Sequence, residues 1–129
     1  MTDLDAVQQR LGLDFRQPDL LRHALTHRSS LNEDPDITED NERLEFLGDA
    51  VIDFITTTML FDYFPELDEG ELTRLRSTLV CTEQLSNLAR SFNLGDALLL
   101  GRGEAETGGR ERDALLCAAF EAMVGALYL

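Results

Sequence analysis

Glu42, Glu45, Asp49 and Asp53 stand at i, i+3, i+7 and i+11 in a run of mostly apolar residues. On a helix turning about 100° per residue they share a wedge roughly 80° wide, so each carboxylate neighbours the next. Phe46 and Ile52 fall on the two flanks of the wedge, and Leu44, Leu47, Ala50, Val51, Phe54 and Ile55 fill most of the rest. An ordinary surface helix has a broad polar face carrying both charge signs. This one is narrow, acidic and hemmed in by apolar side chains. Like charges at such spacings repel, so a cluster without interleaved lysine calls for a cation. Mg²⁺, a hard ion that takes oxygen ligands, would neutralise it. A solvated acidic face on an acidic protein is the plainer reading of the spacing, and Phe46 and Ile52 argue against it.

The elements that must position these groups read as helices almost throughout, so the expected fold class is all-α. Thr2 with Asp5 resembles an acidic capping box. Leu4, Val7 and Leu11 then share one face of a short helix that Gly12 ends. Pro18 suits the first turn of a second helix, where its missing N–H costs little. Residues 32–40, acidic and interrupted by Pro35, predict a mobile loop, with Thr38 or Asp40 capping the central helix. That helix runs to about Tyr63, and Pro65 stops it. Residues 66–70 predict a turn. Further helices follow around Leu72, Leu75, Leu79 and Val80, and from Glu83 to Phe92. Residues 97–100 fit a strand or a helix equally. Residues 101–112 predict a Gly-rich loop without the spacing of a phosphate-binding motif. The last helix, from about Asp113 to Leu129, holds one acidic residue in its apolar middle, Glu121.

The chain has 129 residues, one domain by size, and a net charge of −14. That charge repels a phosphate backbone, so a nucleic-acid role would need metal ions, a local basic patch or a separate module. Cys81 and Cys117 lie in apolar contexts that favour two free buried thiols in a reducing cytosol over a single disulfide. No apolar run approaches the length of a membrane span. With only His23 and His27, and no paired cysteines, zinc is disfavoured. His27, between Thr26 and Ser29, fits a local hydrogen-bonding turn better than a general base.

Glu42-Arg43-Leu44-Glu45-Phe46-Leu47-Gly48-Asp49-Ala50-Val51 resembles the signature of the ribonuclease III family. In order along the chain, Ala24-Leu25-Thr26-His27-Arg28-Ser29, Asp68-Glu69-Gly70-Glu71-Leu72, Ser77-Thr78-Leu79-Val80, Gly108-Gly109-Arg110 and Ala119-Phe120-Glu121-Ala122 resemble its other motifs. The resemblance implies the helical endonuclease domain of a bacterial-type enzyme over residues 1–129. It implies a cytoplasmic homodimer, with no membrane partner, that hydrolyses double-stranded RNA in RNA processing, rRNA processing included. The products would carry 5′-phosphate and 3′-hydroxyl ends, and the cofactor would be Mg²⁺, with Mn²⁺ as a substitute. By position, Glu45, Asp49 and Glu121 match catalytic, metal-binding carboxylates. Glu42 and Glu69 match supporting acidic positions, and Phe46 matches a residue packed across the dimer interface.

The resemblance has two departures. The family pattern places Asp three residues before the final Glu, where this chain has Ala118, so one ligand position is vacant. The chain also stops at the apolar Tyr128-Leu129, before the domain's own final helix and before a double-stranded-RNA-binding domain. Arg74, Arg76, Arg102, Arg110 and Arg112 are left as candidate phosphate contacts, each equally suited to a plain surface role. Ala118 opens an alternative: a catalytically impaired or silent dimeric module for RNA processing or ribosome association. The retained acidic stripe ranks the enzyme first, since repelling carboxylates cost stability without a cation.

Overall fold

A computed structural model describes residues 4–129. Thr2, and with it the capping box expected there, lies outside the described residues. Helix α1 (Leu4–Leu11) ends as expected at Gly12, whose φ of 68° lies in the left-handed region, and the Leu13 amide closes the turn on the Gln8 carbonyl at 3.1 Å. Helix α2 (Pro18–Ala24) starts with its proline at the first turn. A 3-10 turn over Arg28–Asn32 leads into an irregular segment ending at Asn41.

Helix α3 (Glu42–Tyr63) spans 22 residues. Its start is fixed from two sides. The Asn41 side-chain amide donates to the Ala24 carbonyl at 3.0 Å, and the Asp40 carboxylate accepts the Glu42 backbone N–H at 3.0 Å. Of the two expected capping side chains, Asp40 is therefore the one that takes a helix amide. Helix α4 (Glu69–Leu79) begins within the residues expected to form a turn, because the Asp68 carboxylate accepts the Glu71 N–H at 2.8 Å and makes Asp68 the N-cap. Helices α5 (Thr82–Ser91) and α6 (Leu94–Ala97) follow.

The expected Gly-rich loop is partly ordered into α7 (Arg102–Glu106) and a 3-10 turn over Gly109–Glu111. Distant side chains, rather than local propensity, cap α7. Ser29 Oγ accepts the Gly101 N–H at 2.8 Å, and a Glu33 carboxylate oxygen accepts the Arg102 N–H at 2.6 Å. Leu99 pairs with Thr26 in an isolated parallel bridge, which settles residues 97–100 as neither strand nor continuous helix.

Helix α8 (Asp113–Tyr128) is apolar on all sides and runs through the centre of the molecule, packed by α3, α5 and α2. Leu21, Leu25, Leu94 and Leu116 are fully buried, and Phe92 stacks on Phe120 with ring centroids 6.4 Å apart. The all-α expectation holds among the described residues. Cys117 is a buried free thiol as expected, whereas Cys81, N-cap of α5, is only partly buried.

Helix α3 meets α8 at two glycines. A Cβ on Gly48 would lie 1.6 Å from the Glu121 carbonyl oxygen, and one on Gly125 would lie 2.5 Å from that of Leu44. The two backbones touch, one residue from Asp49 and at Glu121 itself. This contact brings carboxylates from two helices to one place.

Candidate metal and catalytic centre

Glu42, Glu45, Phe46, Asp49 and Glu121 line one open depression on the α3–α8 seam. Four residues of the acidic, aromatic-flanked stretch and the acid in the apolar middle of α8 therefore converge, although some 70 residues of chain separate them. Asp53, the last member of the sequence wedge, does not line the depression. Glu69 opens α4 and lines a separate groove with Thr57, Leu60, Phe61 and Arg76. Ala118 sits on α8 three residues before Glu121 and offers a methyl group where a carboxylate was expected.

Glu121 is 9% exposed. Burial pushes its carboxyl up to about 7, and Asp49 and Glu45 add to the rise, against the opposing hydrogen bond from the Cys117 thiol. Glu45 is also raised, by burial first and then by Glu42, Asp49 and Asp40. Cys117 Sγ donates to Glu121 Oε1 at 3.4 Å. Burial and the Glu121 charge push that thiol up to about 12. The centre is thus a set of oxygen donors whose negative charges chiefly face one another.

As the side chains are placed, no trio of His, Cys, Asp or Glu among the described residues is gathered closely enough to hold an ion. The donor chemistry fits a hard divalent cation all the same. The groups are all carboxylates, the proton affinity of Glu45 and Glu121 is raised among them, and a cation would relieve that repulsion.

The arginines proposed for phosphate contact divide. Arg110 donates to the Gly95 and Leu98 carbonyls at 3.0 and 2.7 Å, tying the 101–112 segment to α6. Arg112 is paired with Glu104 and donates to the Thr107 carbonyl. Both are occupied in holding the fold. Arg76 reaches Thr57 Oγ1 across the α3–α4 seam at 2.9 Å. Arg74 and Arg102 are exposed.

His27 is structural, as its local turn predicts. Its Nδ1 accepts the Ser29 N–H at 3.1 Å, and burial lowers its pKa. The residue that sequence reasoning passed over is Cys117. The sequence marks it only as a free buried thiol, while the structure sets it i, i+4 from Glu121 and in contact with it. No helix of the described residues is long and apolar enough to cross a membrane.

A family model described as Ribonuclease-III-like matches residues 17–129. The Ribonuclease 3 of Nitrosococcus oceani is 50% identical over 130 residues, covering 100% of this chain and 53% of that protein. That of Bacillus cytotoxicus is 51% identical over 125 residues, covering 96% of this chain and 51% of its own. The chain thus spans about half the length of the curated relatives it matches. Among solved structures, the nuclease domain of ribonuclease III from Campylobacter jejuni superposes with a TM-score of 0.90 at 40% identity, covering 98% of this chain and 85% of the other. The Dicer of Pichia stipitis superposes with a TM-score of 0.64 at 26% identity, over 88% of this chain and 45% of that one.

Proposed function

The chain belongs to the ribonuclease III family, and from that premise we propose that it is the catalytic domain of a divalent-metal-dependent endoribonuclease acting on double-stranded RNA. The observation that carries this reading is the depression in which Glu45 and Asp49 of α3 meet Glu121 of α8. In the proposed site these three hold Mg²⁺, or Mn²⁺ in its place. Glu42 supports them at the rim, and Glu69 is a supporting acid outside the depression of its own chain. When bound, the ion supplies Lewis acidity toward a phosphodiester and lowers the pKa of water near it.

The chain's own part is placement and charge. Two carboxylates one turn apart on a rigid helix fix one side of the site, and Glu121 fixes the other across the glycine contact. Their uncompensated charge repels phosphate until a cation is present, which makes RNA engagement conditional on the metal. Phe46, 82% exposed beside these acids, is proposed to pack against a second copy in a homodimer. Hydrolysis would leave 5′-phosphate and 3′-hydroxyl ends, in RNA processing in the cytoplasm. The domain is proposed to work with a separate double-stranded-RNA-binding domain, since this chain's charge of −14 disfavours phosphate.

Ala118 supports a second reading, a dimeric RNA-processing module that no longer cuts. Cleavage of a long RNA duplex across Mg²⁺ and Mn²⁺ titrations, with Ala118→Asp and Glu121→Gln alongside, separates the two. On the enzyme reading the chain cuts, Ala118→Asp lowers the metal requirement by about tenfold or more, and Glu121→Gln abolishes cutting. Cutting by Ala118→Asp alone makes the unaltered chain the silent form. No cutting by either, with dimers intact, moves the assignment away from self-sufficient catalysis.

A further inference from the structure

We propose that Cys117 is a positioning residue for Glu121: its thiol fixes the carboxylate that α8 brings to the metal centre. This rests on the metal-centre reading above. Cys117 Sγ stands 3.4 Å from Glu121 Oε1, with both residues buried at 8% and 9% exposure. The contact lies within α8, one turn apart, at the edge of the depression that Glu121 lines.

Nothing else on α8 can do this. The residues one turn from Glu121 are Cys117, Ala118, Val124 and Gly125, and only Cys117 carries a hydrogen-bonding side chain. Across the seam Glu121 faces Asp49 and Glu45, whose charges raise its carboxyl and oppose its ionised form. A donor on one oxygen restrains its rotamer while leaving most of the carboxylate's lone-pair sites for a cation. The absence of a carboxylate at Ala118 raises the stakes. Glu121 becomes the sole oxygen ligand that α8 supplies, so its orientation governs how well the site closes. Hydrogen bonds to ligating carboxylates typically change metal affinity by ten- to a hundredfold.

The test is Mn²⁺ binding to the RNA-free chain, read from the electron paramagnetic resonance signal of unbound Mn²⁺, with thermal unfolding in parallel. Cys117→Val fills the thiol's volume without a donor, Cys117→Ala removes both, and Cys117→Ser keeps a donor. Positioning predicts that Cys117→Val unfolds near the parent temperature yet binds Mn²⁺ about tenfold more weakly, as does Cys117→Ala, while Cys117→Ser stays within about threefold of the parent. Cys117→Val binding as tightly as the parent reduces the thiol to packing and overturns the inference. So does Cys117→Ser binding as weakly as Cys117→Ala. A parent chain that binds no Mn²⁺ overturns the metal centre itself, and this inference with it.

Discussion

The acid on α8 illustrates what a single residue reveals and hides. A lone charge in the apolar middle of a helix marks Glu121 in the sequence, and the 3.6-residue period marks Glu45 and Asp49. The thiol contact was hidden because cysteine behaves as a small hydrophobe in most cores. The structural duty of Arg110 was equally hidden, since the carbonyls it binds become available only where α6 ends. The raised carboxyl of Glu121 has a consequence for stability. Its ordinary value of 4.5 is pushed up to about 7 in the fold, first by burial and then by Asp49 and Glu45. Between those values the folded chain holds a proton that the unfolded chain has released. Its stabilising effect is therefore complete below the unfolded value and is lost as pH rises through the folded one. Allowing for partial screening, the loss is about 2 kcal/mol. Urea unfolding at pH 5 and pH 8, without divalent ions, should show Glu121→Gln gaining that much on the parent between the two. A gap between the two proteins that is independent of pH contradicts it.

At the level of elements, the helices with apolar periods, α1, α2, α3 and α5, are legible in the sequence, α8 is legible by its continuous apolar run, and so is the all-α class that they impose. The starts of α4 and α7 are not. Asp68 caps α4 through geometry that a Glu-Leu-Asp-Glu-Gly run does not announce, and Ser29 and Glu33 cap α7 from far along the chain. Helix α8 escapes amphipathic reading because it is buried all round. The meeting of α3 and α8 was the other gap, for the glycines that permit it look locally like weak points in their helices. Their value is tertiary. A methyl group at Gly48 would strike backbone, which cannot swing aside as a flexible side chain can. Gly48→Ala should therefore destabilise the chain by about 3 kcal/mol or more, beyond the usual helix gain from alanine. Gly103→Ala is the control, because a Cβ there meets nothing within 4 Å in α7. Equal denaturation midpoints for the two variants would contradict the close-packing account.

The whole molecule carries two opposed surface properties, a net charge of −14 and large apolar side chains left in water. Phe46, Phe54 and Phe61 are 82%, 74% and 71% exposed, and their spacing along α3 puts them on one face roughly 80° wide. Helix α4 adds no buried residue of its own and leaves Leu79 exposed. A monomer gains nothing from solvating three phenylalanines on one helix face, so that face is suited to burial against another copy. Apolar contact drives such a pairing and charge opposes it, since each copy brings the same negative surface. Salt screens that repulsion. Dimerisation should therefore tighten as ionic strength rises, the opposite of the salt response of a protein held by phosphate contacts. Sedimentation equilibrium at low and moderate NaCl measures the constant directly. Phe46→Ala, which removes an anchor of the kind that dominates interfaces, should weaken it by about 2 kcal/mol, roughly thirtyfold, at either salt concentration. The same loss at both would assign Phe46 to the apolar contact and the salt response to the rest of the surface. A Phe46→Ala chain that dimerises like the parent would place the interface elsewhere.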